Sequence, residues 1–233
     1  ARLREAIGDG QFDNPEFAVG LEMEVYAVSR PGGGGGQTDD SGSRPDADSK
    51  GRLAPLPDAV FDGAAKGELG VHNAEITTEP DVLDGDGLVA QAEAIRERFG
   101  RAQSAARTRD RELVLDATWT VPPAEGSHDY LAAVDRREGL TVARKMREDA
   151  RYVGIDNDVL RHADGSLTLS VPGYEGEYPS ILFESLATSI QPHLQVPRAA
   201  EFPAYYNAAT RTLGPVLALS TNSPFLPGDL YDV

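Results

Sequence analysis

The chain has 233 residues, 40% of them hydrophobic, so it is long enough for one large domain or two small ones with a sizeable core. It contains no cysteine, which excludes disulfides, thiolate metal sites and cysteine nucleophiles. Its formal net charge of −16 argues against binding along a nucleic-acid backbone.

The acidic residues are spread along the whole chain, and only three of the 22 basic residues are lysines. This pattern favours a protein adapted to concentrated salt, where charge repulsion is screened, over an ordinary acidic protein of the cytoplasm. No run of 18 uncharged apolar residues indicates a membrane span, and the first residues lack the apolar segment of a secretory signal. We therefore expect a cytoplasmic protein without a membrane partner.

The first predicted element is a strand over residues 16–29, where apolar residues occupy the odd positions from Phe17 to Ala27. Residues 30–52 are rich in Gly, Ser and Asp without any period, which predicts a flexible loop. Its five consecutive glycines lack the Lys-Ser/Thr pair and the helix that follow in a phosphate-binding P-loop.

The later elements alternate between strands and helices. We predict strands at 70–80, 111–120 and 187–197, with a further strand after a turn within 162–171. We predict helices at 86–108, 128–152 and 200–219, a turn at 155–159 and a loop at 220–229. No internal repeat is present.

Three predicted strands carry polar side chains on one face, since residues two apart on a strand point the same way, about 6.5 Å apart. Glu22 and Glu24 share such a face, and Glu75 and Glu79 share another. The strand at 187–197 carries Ser189, Gln191, His193 and Gln195 on one face.

If these strands belong to one sheet, four carboxylates and one imidazole converge on one surface. Uncompensated, such a cluster raises the carboxyl pKa values and costs stability. Divalent cations resolve it, because Mg²⁺ and Mn²⁺ take carboxylate oxygens and leave positions for water and phosphate. The pattern therefore predicts a Mg²⁺ or Mn²⁺ site formed by Glu22, Glu24, Glu75, Glu79 and His193.

The spacing limits this prediction, since Glu75 and Glu79 lie about 13 Å apart along a strand and do not fit one ion. Either two or more metal ions bind, or one glutamate has another role, such as binding a substrate ammonium. Taken singly, each glutamate is better explained as a solvated strand residue, and His193 as a hydrogen-bonded structural histidine.

Four segments, in order, resemble the glutamate–cysteine ligases and related carboxylate–amine ligases. They are GLEMEVYAV, NAEITTEP, SIQPHLQV and FPAYYNAATRTLGPVLALSTNSPFLPG, and they run from residue 20 to residue 228. Gly20, Leu21, Glu22, Met23 and Glu24 match the Gly-hydrophobic-Glu-x-Glu pattern of the family's opening strand.

The resemblance implies an α+β fold, in which helices pack on the outer side of a curved, mainly antiparallel sheet related to that of glutamine synthetase. It implies an ATP-dependent ligase with Mg²⁺ or Mn²⁺ and ATP as cofactors and amino acids as small-molecule substrates. The γ-phosphoryl group passes to a carboxylate, and an amine attacks the resulting acyl phosphate to form an amide.

The resemblance also implies roles for individual residues. Glu22, Glu24, Glu75 and His193 would hold metal, with Glu79 as a further candidate. Gln191 and Gln195 would contact the substrate or a phosphate oxygen, and the remaining substrate-side candidates are Tyr206, Asn222 and Ser223.

Family members are usually longer, and their C-terminal part supplies further strands and the basic residues that meet the phosphates. We therefore expect residues 1–233 to form one catalytic-type domain, the N-terminal part of a longer chain. The alternatives are a site completed by a second chain, for example in a homo-oligomer, or lost catalysis. A non-catalytic metal- or amino-acid-binding domain and a metal-dependent hydrolase thus stay open beside the ligase, as do the acid and amine it would join.

Overall fold

The computed structural model describes residues 2–30, 51–220, 223 and 225–231. Its helices are α1 (Arg2–Gly8), α2 (Gly85–Arg107), α3 (Ser127–Ala132), α4 (Ala150–His162) and α5 (Phe202–Leu219). Its strands are β1 (Ala18–Ser29), β2 (Lys66–Gly67), β3 (Asn73–Thr77), β4 (Asp81–Val82), β5 (Arg111–Val114), β6 (Val134–Arg137), β7 (Leu140–Ala143), β8 (Leu167–Val171), β9 (Tyr174–Tyr178) and β10 (Ile190–Gln195).

The twelve-residue strand β1 organises the main sheet, whose hydrogen-bonded order is β10-β1-β3-β2, with β4 and β5 also on β1. The pairings of β1 with β10, β4 and β5, and of β2 with β3, are all antiparallel. Two separate hairpins, β6–β7 and β8–β9, complete the strands of the described chain. The predicted α+β fold with a mainly antiparallel sheet is confirmed.

The chain divides into two compact units. Unit 1 comprises residues 1–23, 77–97 and 190–224, and unit 2 comprises residues 24–76, 98–189 and 225–233. The single domain expected over residues 1–233 stays a prediction. Of the loop predicted at 30–52, residues 31–50 lie outside the described part of the chain.

Unit 1 contains the pairings of β1 with β10 and β4, together with α5. Every residue of α5 is exposed, including Leu213, Val216, Leu217 and Leu219. Helix α5 begins at Phe202, two residues after the predicted start, and Pro203 suits its first turn, where the missing N–H is not needed. No helix in the described ranges is both long and apolar enough to cross a membrane.

Unit 2 contains a core built around Trp119, whose side chain is fully buried. The buried members of this core are Tyr26, Leu53, Leu69, Trp119, Tyr130, Leu131, Ala143, Met146, Tyr178, Leu182 and Leu186. The indole Nε1 donates to Ser127 Oγ at 3.0 Å, and that hydroxyl donates to Asp229 at 2.9 Å. The core therefore buries a large aromatic ring without leaving its N–H unpaired, which would be costly.

The helix predicted at 128–152 is wrong. Helix α3 ends at Ala132, and the antiparallel hairpin β6–β7 follows. Glu138 and Gly139 connect its strands with φ values of 52° and 81°. Positive φ at both central residues defines the tight turn whose twist suits a hairpin. Gly139 is typical of such a turn but glutamate is not, so the pair lacks the Asn-Gly or Asp-Gly signal of a hairpin.

The turn predicted at 155–159 is also wrong, because these residues lie inside α4. Asp149 precedes this helix, and its side chain accepts a hydrogen bond from Arg151 N at 2.7 Å. Asp156 is buried and accepts from Ser180 Oγ and Ile181 N, each at 2.9 Å. An aspartate that reads locally as a turn residue thus serves a tertiary contact within unit 2.

Candidate functional site

The register between β1 and β10 brings two predicted site residues together in unit 1. Glu22 lies opposite Gln191, and Gly20 lies opposite His193. Residues opposite each other in an antiparallel pair share one face, and their diagonal neighbours are within reach of long side chains. Across this diagonal, Glu22 Oε2 lies 2.8 Å from His193 Nε2.

A cavity of about 340 Å³ lies over this pair, also within unit 1. Its lining consists of Ala18, Gly20, Leu21, Glu22, Thr78, Pro80, His193, Leu194 and Gln195. The side chain of His193 is 59% exposed and that of Glu22 30% exposed, so a small molecule can reach both. The cavity thus has hydrogen-bonding groups on three of its segments.

A second set of acidic residues lies in unit 2 around Glu24. Burial is the main cause that raises the pKa of the Glu24 carboxyl, and the negative charges of Glu68 and Glu75 raise it further. A hydrogen bond to Ser189 lowers it in part, and Glu24 N donates to Ser189 O at 2.9 Å. A partly buried carboxylate near two others is the environment in which a cation is favoured.

Glu68 was not predicted from the sequence. It follows the two-residue strand β2, which is too short to show alternation. Its Oε1 accepts from Tyr152 OH at 3.2 Å and from Leu69 N at 3.0 Å. Glu75, which was predicted, lies opposite Lys66 in the β2–β3 register. No local signal could have placed Glu68 near Glu24, because that proximity depends on sheet pairing.

The other candidates are spread over several elements. Glu79 is exposed, and its backbone oxygen accepts from Gln91 Nε2 at 2.7 Å. Tyr206 on α5 is 61% exposed, and Ser223 is exposed as well. Asn222 lies outside the described residues.

The carboxylates of the donor set supply the oxygen ligands that Mg²⁺ and Mn²⁺ prefer, and the imidazole of His193 adds a nitrogen ligand that is more typical of other transition metals. Within the described ranges, however, no three Asp, Glu or His side chains lie close enough together to hold one ion. Of the five predicted ligands, Glu22, Glu79 and His193 belong to unit 1, and Glu24 and Glu75 belong to unit 2. Metal binding by this set therefore stays a prediction, anchored by the Glu22–His193 pair.

An α+β fold whose antiparallel sheet carries acidic side chains and an imidazole is the class of architecture expected for a carboxylate–amine ligase. The model of glutamate–cysteine ligase family 2 matches residues 18–231. The chain therefore belongs to glutamate–cysteine ligase family 2, a ligase family, as its sequence motifs predicted. Comparison with curated proteins and with solved structures gives no match.

Proposed function

We propose that the chain carries out ATP-dependent ligation of an amino-acid carboxylate to an amine, with glutamate as the first candidate acid. Membership of the ligase family supports the reaction class. The observation that carries the site assignment is the Glu22–His193 pair at 2.8 Å in an accessible cavity.

The reaction proceeds in two balanced steps. A carboxylate oxygen of the acid attacks the γ-phosphorus of ATP, and the bond to the β-phosphate oxygen breaks, giving an acyl phosphate and ADP. The amine nitrogen then attacks the acyl carbon, phosphate leaves, and the nitrogen loses a proton to give the amide. Such chemistry needs positioning and charge neutralisation rather than a protein nucleophile, so the absence of cysteine is no obstacle.

The chain's own residues orient the reactants in this proposal. Glu22 fixes the imidazole of His193 through their hydrogen bond, and Gln195 lines the same cavity with an amide that can donate to substrate oxygens. Gln191, opposite Glu22 on β10, is a further substrate-side candidate.

Glu22 and His193 of unit 1 would hold a divalent cation, with Glu79 as a further candidate, and Glu24 and Glu75 of unit 2 would be candidate ligands of a separate cation. When bound, the cation supplies neutralisation of the triphosphate and carboxylate charges.

The test is phosphate release from ATP with Mg²⁺ or Mn²⁺, glutamate and a panel of amines, on the full-length gene product in molar KCl. We expect amino-acid-stimulated release that falls at least about tenfold in Glu22→Gln, Glu24→Gln and His193→Ala, as loss of a metal ligand or its support requires. His128→Ala is the matched control, because His128 also lies beside a carboxylate, with Asp129 at 3.4 Å, and is 48% exposed. Full stimulated activity in His193→Ala would contradict the assignment.

A non-catalytic binding domain is the second candidate, and one observation favours it. The cavity lining in the described part of the chain contains no lysine or arginine to meet a triphosphate. This candidate predicts tight Mn²⁺ binding by calorimetry with no phosphate release for any amino acid. A metal-dependent hydrolase would instead show activity that does not depend on ATP.

A further inference from the structure

Gln91 on α2 is a buried polar residue that the proposed chemistry does not use. It is 2% exposed. Its Nε2 donates to Glu79 O at 2.7 Å and to Asp81 Oδ2 at 2.8 Å. Its Oε1 accepts from the hydroxyl of Thr78. A buried amide is costly unless it is hydrogen-bonded, and this one bonds three residues of a single short segment, all within unit 1.

The same network continues to the cavity. Thr78 Oγ1 accepts from Leu21 N at 2.9 Å, and Thr78 N donates to Leu21 O at 2.9 Å. Leu21 and Thr78 line the cavity with His193, and Leu21 directly precedes Glu22 on β1. The Gln91 amide is therefore two hydrogen bonds away from the backbone that carries Glu22.

The start of α2 is built to bring Gln91 this close. Gly87 lies one turn before Gln91, and a Cβ at Gly87 would lie 1.9 Å from Val82 O. Gly87 N donates to Asp84 Oδ1 at 2.8 Å. Only glycine allows this approach of the helix to β4, and residues four apart share one helix face. The approach therefore aims Gln91 at the segment from Thr78 to Asp81.

We propose that Gln91 is a positioning residue of the candidate site. By holding Thr78 and the Glu79 backbone, it fixes the wall of the cavity that faces Glu22 and His193 and so sets ligand affinity there. The ligand in this inference rests on the proposed function. The positioning role of Gln91 concerns only the wall of the cavity.

Helix α2 supplies a matched control in Gln103. Gln103 is 9% exposed, its Nε2 donates to the Glu112 carboxylate, and its Oε1 accepts from Leu113 N at 2.7 Å. The Gln103→Met substitution therefore removes a buried amide comparable to that of Gln91. Its partners, however, belong to β5 in unit 2 rather than to the cavity lining.

The experiment compares Gln91→Met with Gln103→Met in the full chain, with Mn²⁺ alone as the calorimetric probe. We expect both variants to lose similar thermal stability. Gln91→Met should weaken Mn²⁺ binding about tenfold, as loss of a supporting hydrogen bond does, and Gln103→Met should stay within about twofold. If Gln91→Met binds Mn²⁺ like wild type, or if Gln103→Met weakens binding equally, Gln91 is merely structural.

Amide hydrogen exchange on the metal-free protein tests the inference without any ligand. Faster exchange in Gln91→Met over residues 18–23 and 77–82, absent from Gln103→Met, supports the positioning role, and unchanged exchange there overturns it. If wild type binds no Mn²⁺, the metal proposal fails while this exchange result still decides the role of Gln91. Gln91→Asn keeps an uncharged amide on a side chain one methylene shorter, which cannot reach Thr78, Glu79 and Asp81 together. It should show the same changes at smaller size, and it serves as the deciding variant if Gln91→Met does not fold.

Discussion

His72 in unit 2 and His193 in unit 1 show how differently two regions of this molecule use the same side chain. His72 is fully buried, with its ring centroid 5.0 Å from that of Trp119. Its Nε2 lies 3.1 Å from Ser185 O and its Nδ1 3.0 Å from Tyr130 OH. His193 is 59% exposed and lies beside Glu22 on a strand surface.

The difference teaches how burial assigns a role. Because a carbonyl oxygen only accepts, Nε2 of His72 carries the proton and Nδ1 accepts from Tyr130. Burial, aided by the positive charge of Arg147, lowers the pKa of His72 to about 4, although the bond to Ser185 opposes this shift. The core of unit 2 therefore keeps a neutral, fully paired histidine for packing. The strand surface of unit 1 keeps one that a ligand can reach.

The largest expected effect is on the core. Trp119→Ala should lower the free energy of unfolding by about 3–5 kcal/mol, because it empties a fully enclosed site. Leu217→Ala on α5, where Leu217 is 71% exposed, should change it by less than about 0.5 kcal/mol. Urea unfolding at pH 7 measures both. An equal loss in the two variants would show that α5 is covered in the protein and would break the comparison.

The next effect is a pH dependence from His72. The unfolded chain takes up a proton near pH 6.5, whereas folded His72 does so only near pH 4. Between pH 4 and pH 6.5 the unfolded state therefore binds more protons than the folded state. The stability that neutral His72 contributes is complete above pH 6.5 and is lost as the pH falls toward 4. We expect a loss of about 2 kcal/mol between pH 6.5 and 5 that is absent from His72→Gln. If His72→Gln kept the wild-type pH dependence of the free energy of unfolding, the role given to His72 would be contradicted.

A smaller effect is expected at an exposed helix end within unit 2. Asp149→Ala removes the side chain that accepts from Arg151 N at the start of α4, and should cost about 1 kcal/mol. Asp149→Ser retains a capping oxygen and should recover most of this loss in the same urea titration. If Asp149→Ala lowered the free energy of unfolding as much as Trp119→Ala, loss of this cap would have to unfold the core of unit 2 together with α4.

A smaller effect again is expected at the candidate site itself. His193→Ala should change the free energy of unfolding by less than about 1 kcal/mol, because its contact with Glu22 is solvent-exposed and such contacts contribute little. Thermal unfolding in the same buffer checks this, with Glu22→Gln as the partner variant. A much larger loss would make His193 a structural residue like His72 and remove the contrast between the two regions.

Elements with a strong local pattern could be predicted closely. The helix expected at 86–108 is α2 at Gly85–Arg107, and the one expected at 200–219 is α5 at Phe202–Leu219. The hairpin at 134–143 could not be predicted, because its turn depends on Glu138 adopting a positive φ that glutamate rarely takes. Adaptation to concentrated salt stays a prediction from charge alone.

The candidate site also divides into residues with a local sequence pattern and residues without one. Glu22, Gln195 and His193 line one cavity, because alternation fixes which side chains share a strand face, and their roles there stay predictions. Gln91 and Glu68 were missed, since neither lies in an alternating strand pattern. Their importance comes from partners distant along the chain.

The sequence by itself determined the family, the α+β class and the strand faces that carry Glu22, Glu24, Glu75 and His193. Only the tertiary structure decided that His72 is buried against Trp119 while His193 meets Glu22, and that Gln91 holds the cavity wall. The physical reason is that local patterns set side-chain direction. Register and packing between distant segments set which groups touch, and therefore which are paired, buried or accessible.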